Sequence, residues 1–405
     1  MSLKLLLFYF IAFIILYLEP IEVIGGLTFG IIWKLILMVF LLFPIIHAIL
    51  RDKYIESFAF FAILLAFKIL ISYTSMDYLI TTLTLFTKAM MFPLLYLYFN
   101  EKIKNSETLI FMVKHFSILI ILSLLPYMFG LLEPFEKGYD LAEFGHVGEY
   151  GLIGPFIKPH SASITIAFAM IIVTTHITKR NSLLLNLFYI GLLLLGFYEL
   201  IETYVRTGIA IYIIVLAYIY LKDISFKKVL LIILTMFMFL AATVYLYQTN
   251  EIVQMRIDDK NKYSKGNEGS GGSGRLIFWA NAIENWLDDD PAVIYIGLGY
   301  DYAREKMYED VGLLIFAHNH FIQMLQQEGL IGFTLFMIHI FLIYRFIFRN
   351  RQSKYHTATN AIFIGILVEM MFQGGFFFNL VFYLSVYLVI LKRDALDRLN
   401  KIKET

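Results

Sequence analysis

The 405-residue sequence contains no cysteine. Disulfides, cysteine-ligated zinc and thiol chemistry are thereby excluded, although the absence says nothing about the redox compartment. Charge is scarce as well: 16% of the residues are Asp, Glu, Lys or Arg, against 60% hydrophobic, and mean hydropathy is +0.73. A soluble chain of this length has too few interior positions to hide that much apolar surface, whereas lipid sets no such limit. The formal net charge of +1 carries no signal for nucleic acid. Walker and Rossmann fingerprints are missing. So are internal repeats and the inverted symmetry between halves on which common transporter plans are built. After the apolar run that ends near Leu18, Glu19-Pro20-Ile21-Glu22 offers no small-residue cleavage site. That run therefore reads as a retained first span and not as a signal peptide.

Long apolar runs are what the sequence has in abundance. A spanning helix needs roughly 20 mainly apolar residues to cross a hydrocarbon core of ~30 Å. Suitable runs fall near 3–18, 27–49, 55–73, 78–99, 108–132, 160–177, 183–200, 207–221, 228–247, 329–348, 359–373 and 376–391. The expected fold is an all-α integral membrane bundle of about 12 transmembrane helices, one polytopic domain over residues 1–405. Lysine and arginine alternate strictly between loops. Arg51 and Lys53, Lys102 and Lys104, Lys179 and Arg180, and Arg345 to Lys354 share one side with the basic tail, while 19–26, 74–77 and 373–375 have none. The positive-inside rule then puts both termini in the cytoplasm. Lys34, Lys68, Lys88, Lys114, His115 and Glu369 fall within spans and are expected to pack or snorkel.

Two connections are long, and both fall on the outer side: a moderately acidic loop at 133–159 and a larger periplasmic loop at 248–318. Loops of that length within a compact domain are usually functional or disordered. Within the larger one, a glycine-rich stretch from Gly266 to Gly274 runs into an amphipathic helix with Ser273 as N-cap and Pro291 beyond its end. Leu276, Trp279, Ala280, Ile283, Trp286 and Leu287 make its apolar stripe, opposite Asn281, Glu284, Asn285 and Asp288. Such a helix would lie on the outer membrane surface with its tryptophans at headgroup level. Asp288-Asp289-Asp290 reads as a solvated turn.

Three residues on the outer side could carry chemistry. Arg275 opens the amphipathic helix, where a cation opposes the helix dipole. Two readings are open, a solvated surface arginine or an anion held by guanidinium and backbone N–H groups together. Arg206 stands at the outer mouth of the eighth span, either snorkelling or joining Arg275 around a phosphate. His318 falls near the start of a helix, whose positive end disfavours the imidazolium. A neutral ring there could act as a general base, or simply satisfy a hydrogen bond. Asn319, Gln323 and Gln327 follow as a polar stripe. A zinc site at His318 and His320 lacks further ligands, and no metal is expected.

The arrangement resembles a known family. His318-Asn319, nine residues, then Gly329-Leu330-Ile331-Gly332 is similar to a signature of the O-antigen ligase and O-antigen polymerase superfamily. Upstream, Ser273-Gly274-Arg275 with Trp279, and Arg206 with Gly208, fit the same pattern over residues 199–345, whereas Val205 stands where many relatives carry serine. The resemblance implies a GT-C-like, metal-independent, inverting glycosyltransferase of the bacterial inner membrane that needs no cofactor. Its substrates would be an undecaprenyl-diphosphate-linked oligosaccharide as donor and an acceptor glycan or lipid A-core, with membrane lipid and chain-length regulator proteins as further partners. Arg206 and Arg275 would hold the diphosphate and His318 would activate the acceptor hydroxyl, with Asn319, Gly274, Trp279 and Tyr204 contacting substrate. Polymerisation of repeat units is the first reading and ligation to lipid A-core the second. A glycan-lipid flippase is the rival from another class.

Overall fold

The computed structural model describes residues 16–24, 27–50, 55–72, 79–135, 150–177, 181–221, 275–287, 290–312, 315–372 and 378–404. The apolar run at 228–247, most of that at 3–18, and Ser273 and Gly274 lie outside them.

Helices occupy the remaining apolar runs. In chain order they are α1 (Phe29–Leu50), α2 (Ser57–Ile71), α3 (Leu79–Lys102) and α4 (Ser106–Leu122). Next come a single turn α5 (Leu125–Met128), α6 (Pro159–His176), α7 (Leu183–Glu202) and α8 (Arg206–Leu221). The outer loop supplies α9 (Arg275–Leu287), α10 (Pro291–Ile296) and α11 (Tyr300–Val311). The chain ends in α12 (His320–Arg349), α13 (His356–Phe372) and α14 (Phe378–Glu404). Among the described residues four helices are long and apolar enough to cross a membrane, beginning at Thr81, Ser106, Leu183 and His320. The expected all-α class needs one amendment, a two-stranded antiparallel ribbon, β1 (Glu22–Ile24) with β2 (Leu27–Thr28), ahead of α1.

Which faces are apolar shows that the bundle is solvated by lipid. Phe60, Leu64, Phe67 and Ile71 on α2, Leu183, Leu187, Ile190 and Leu194 on α7, and Met337, Phe341, Tyr344 and Phe348 on α12 are all exposed. Each set recurs at i, i+4, i+7, i+11, the spacing of one helix face. A water-soluble bundle would place polar residues there; contiguous apolar stripes on several helices mark contact with hydrocarbon. The interior is built around α6, whose residues from Ala162 to Thr174 are all buried. A helix apolar on every side belongs at the centre of a bundle, and α4, α7, α8 and α13 surround it.

The two ends of the bundle are held by different polar groups. At one end Glu56, ahead of α2, accepts from Lys392 of α14 at 2.7 Å and pairs with Arg349 of α12 at 3.9 Å. Arg393 donates to the carbonyls of Phe99, Asn100 and Lys104 between α3 and α4. These are the basic residues assigned to one side of the membrane from the sequence. The opposite end of α2, at Lys68 and Ser72, meets Ile296 and Glu328, so the outer-loop helices gather at the far end.

Helix α8 crosses α6 where Gly208 meets Ser163, and a Cβ on Gly208 would stand 2.2 Å from the Ser163 Oγ and 2.5 Å from its carbonyl oxygen. Gly208→Ala is expected to lower the melting temperature in detergent, in line with the ~1–3 kcal/mol typical of overpacking. Gly191→Ala, on α7 with nothing within 4 Å of the added carbon, is expected to leave it unchanged or raise it. Equal behaviour of the two variants would contradict the close crossing.

Candidate functional site

The site is organised by a break in α12. Gly329 has φ 63° and ψ −171°, a backbone conformation that L side chains rarely adopt, and it divides the 30-residue helix in two. A break frees backbone carbonyls of the preceding turn, which cannot stay unsatisfied in a water-poor interior. The outer loop satisfies them: Leu298 and Gly299 donate their N–H groups to the Gln326 and Gln327 carbonyls, each at 2.9 Å. The approach is so close that a Cβ on Gly297 would stand 2.2 Å from the Gln327 carbonyl oxygen. Beside it the Lys68 ammonium donates to the Ile296 carbonyl at 2.8 Å and to the Ser72 hydroxyl at 2.7 Å, and pairs with Glu328 at 3.1 Å. Ser72 in turn donates to Glu328 at 2.7 Å. The loop segment and the helix break are thus fixed as one unit, with Glu328 buried inside it.

Lys68 was expected to pack or snorkel, and the structure revises that. Its charge is neutralised inside the fold by a residue 260 positions away, a pairing that periodicity cannot reveal. Lys34 is bonded to Glu19 in the same way, and Glu369 is fully buried. Lys88 opens into a cavity.

Arg206 is the first residue of α8, and Arg275 is the first described residue of α9. Arg275 is half-buried, its guanidinium carbon 5.7 Å from the centre of the Phe372 ring. Burial and then the like charge of Arg206 lower its pKa. Two guanidinium groups held within electrostatic reach repel, and an anion between them would relieve the repulsion. His318 lies just before α12, whose first amides are capped by Asn319: its side-chain oxygen accepts from Phe321 at 3.0 Å and Ile322 at 3.3 Å. Asn319, expected to contact substrate, thus has a cap to maintain. The His318 ring lies 6.3 Å from that of Phe278, one turn along α9 from Arg275.

Among the described residues two non-glycine side chains have positive φ, Tyr204 at 55° and His318 at 51°. One immediately precedes the α8 entry at Val205–Arg206 and the other the α12 cap. Left-handed backbone costs a non-glycine residue of order 1 kcal/mol, and such strain concentrates at functional sites.

Helix α9 has, besides its predicted apolar stripe, an inward face that the stripe does not include. Phe278 and Ala282 face inward onto Met307 and Ala317, with Trp279 packed against them. Leu276, Ile283 and Leu287 of the predicted stripe are 58%, 38% and 51% exposed. The helix is therefore held by a narrow seam beside its main apolar arc, and that arc faces outward as on a lipid-facing helix. Trp286 donates its indole N–H to the Ile294 carbonyl at 3.1 Å.

His318 also lines a cavity of about 550 Å³, with Gln323, Tyr300, Lys88, Lys158 and His160. Burial pushes the Tyr300 phenol up to about 12, so it lines the cavity as an un-ionised hydroxyl at neutral pH. Neither arginine is part of this lining. The structure therefore brings Arg206 towards Arg275, and His318 meets Phe278 and lines the cavity. Gly274 lies outside the described residues. No cluster of His, Asp or Glu that could hold a metal ion occurs among the described residues.

Residues 191–337 match the O-antigen ligase family model. That segment carries the resemblance to the O-antigen ligase and polymerase superfamily, and it runs from α7 to the distal half of α12, taking in Arg206, Arg275, His318 and Gly329. No curated protein matches the chain. The match agrees with an integral membrane protein of lipopolysaccharide or polysaccharide biosynthesis that uses lipid-linked glycan and acceptor substrates.

Lys68→Met strands the buried Glu328 carboxylate and is expected to cost ~3–5 kcal/mol, seen as a fall in the melting temperature. Adding Glu328→Met is expected to recover most of that loss. Simple additivity of the two would show that the pair is not coupled.

Proposed function

We propose that the protein transfers a glycan from undecaprenyl diphosphate to an acceptor hydroxyl at the extracytoplasmic end of the bundle. The observation that carries this reading is the approach of the Arg206 and Arg275 guanidinium groups, with the His318 ring against Phe278, one turn along α9 from Arg275. In the transfer, the acceptor oxygen attacks the anomeric carbon while its proton passes to the His318 imidazole. The bond from that carbon to the diphosphate oxygen breaks, and the charge left on the diphosphate is met by the two arginines. Attack opposite the leaving group inverts the anomeric configuration. Fixed cations in a water-poor site stabilise developing negative charge better than bulk water does, and an alcohol is too weak a nucleophile to react without a base. No step needs a metal.

Supporting the reading are the family match over the same residues and the backbone strain at His318 and Tyr204. Among acceptors we favour the growing repeat-unit chain, which makes the protein a polymerase of O-antigen or capsule in the inner membrane, with both termini cytoplasmic. Ligation to lipid A-core is the second reading, favoured by the description of the matched family as an O-antigen ligase.

The purified protein in proteoliposomes, given a lipid-linked oligosaccharide alone, is expected to make longer chains. Glycosylated lipid A-core, formed only when lipid A-core is supplied, would favour ligation, and translocation without bond formation would establish the flippase. His318→Ala is expected to cut transfer by about 10²–10⁴-fold with folding intact. Arg275→Ala is expected to lower it by about 10²-fold or more. Full activity in the His318 variant would remove the base from the mechanism.

A further inference from the structure

The cavity beside His318 holds positive charge for which the proposed transfer has no use. Lys88 lies well inside α3, at a depth where ionisable residues are costly and commonly functional. Its side chain is solvent-accessible and opens to the cavity. Among the described residues no carboxylate lies within ion-pair distance of its ammonium. The charges that act on it are Lys34, Lys158 and Glu19, and Glu19 is already bonded to Lys34. Lys158 lines the same cavity from the N-cap of α6, and Pro159, His160 and Ser161 begin that 18-residue helix. The first bond of its ladder runs from the Ala162 N–H to the Lys158 carbonyl. The amides of His160 and Ser161 thus precede the ladder, at the positive end of the helix. Ser161 and the un-ionised phenol of Tyr300 add hydroxyl groups to the lining. The volume, about 550 Å³, lies within the range of sites that enclose small ligands.

We propose that this cavity receives the acceptor glycan, and that Lys88, helped by Lys158 and the start of α6, binds an anionic group on it, the carboxylate of an acidic sugar or a phosphate ester. The inference rests on the assignment of Arg206 and Arg275 to the donor diphosphate. Given that assignment, a base that lines the cavity but not the arginine pair has the donor on one side and the acceptor on the other. The cation inside the cavity then reads a charge carried by the acceptor.

The test is a binding titration of the full-length protein in nanodiscs, so that it does not depend on turnover. The probes are an oligosaccharide with one hexuronic acid, the same compound with its carboxyl group reduced to hydroxymethyl, and a phosphorylated counterpart, each with and without undecaprenyl diphosphate. The wild type is expected to bind one or both anionic probes at least about ten-fold more tightly than the reduced one, as a charge-assisted hydrogen bond allows; which of the two is preferred separates carboxylate from phosphate. Lys88→Met is expected to abolish that preference while binding the reduced probe as before. Lys158→Ala is expected to weaken the preference by about three-fold, and supplies the reading if Lys88→Met fails to fold. Equal binding of all probes by the wild type, or no binding, overturns the proposal, as does a preference that survives substitution. Competition by undecaprenyl diphosphate that depends on Lys88 would also overturn it, since the lysine would then serve the donor. Loss of acceptor discrimination alongside intact transfer would leave the proposed reaction standing. Absence of transfer with probe binding intact would instead remove the reaction.

Discussion

The outer layer of this protein hangs on one crossing, where the backbone at Ile296 to Gly299 lies against the break in α12. A helix interrupted in a low-dielectric interior exposes carbonyls that must find donors. Here the donors are the Leu298 and Gly299 amides, so the break and the loop each need the other. Glycine is required on both sides, because Cβ atoms at Gly297 and Gly329 would each lie within 2.5 Å of the opposing backbone. The Lys68–Ser72–Glu328 group then fastens α2 to the same place. Three parts of the chain distant in sequence are thus locked together at one end of the bundle. The helices of the loop, including the one that carries Arg275, take their position from that lock.

The positions so fixed share a further property. Arg206 begins α8, His318 comes just before α12, and Arg275 lies in α9 within reach of the Arg206 charge. The starts of α8 and α12 present partial positive charge and backbone donors, and two guanidinium groups favour an anion there. The left-handed backbone of Tyr204 and His318 lies at these two entries. Strain of this kind persists only where surrounding packing over-determines it, and the packing responsible is identifiable: Ser163 bonded to the Val205 carbonyl at one entry, the Asn319 cap at the other.

Much of this was legible in the sequence, for physical reasons that also explain what was not. Helix positions follow from apolar run length, which lipid enforces directly. The Arg275 helix was visible because its apolar residues recur at helical spacing. Its inward face was not, since Phe278 and Ala282 are inward only by virtue of Met307 and Ala317, supplied from elsewhere in the chain. Gly329 was visible as a glycine of the signature; that it would break α12 and meet the backbone at Ile296 to Gly299 depends on tertiary structure. Lys68 and Lys88 looked alike as lysines in apolar helices. One proved to be paired with Glu328 and the other to be open to a cavity, a distinction set by partners 260 residues away and by packing around an empty volume.

The separation of the arginine pair from the cavity has a consequence for the proposed reaction. Displacement at an anomeric carbon with inversion requires the nucleophile and the leaving group on opposite faces of the sugar. A site with its cations and its base on the same wall would bind both substrates and align neither. Here the His318 ring meets Phe278, one turn along α9 from Arg275, and also lines the cavity, which neither arginine does. In the proposed reaction the donor's charged end and the acceptor's hydroxyl would then reach the base from different sides, and orientation of that kind contributes to rate as directly as any single charged group.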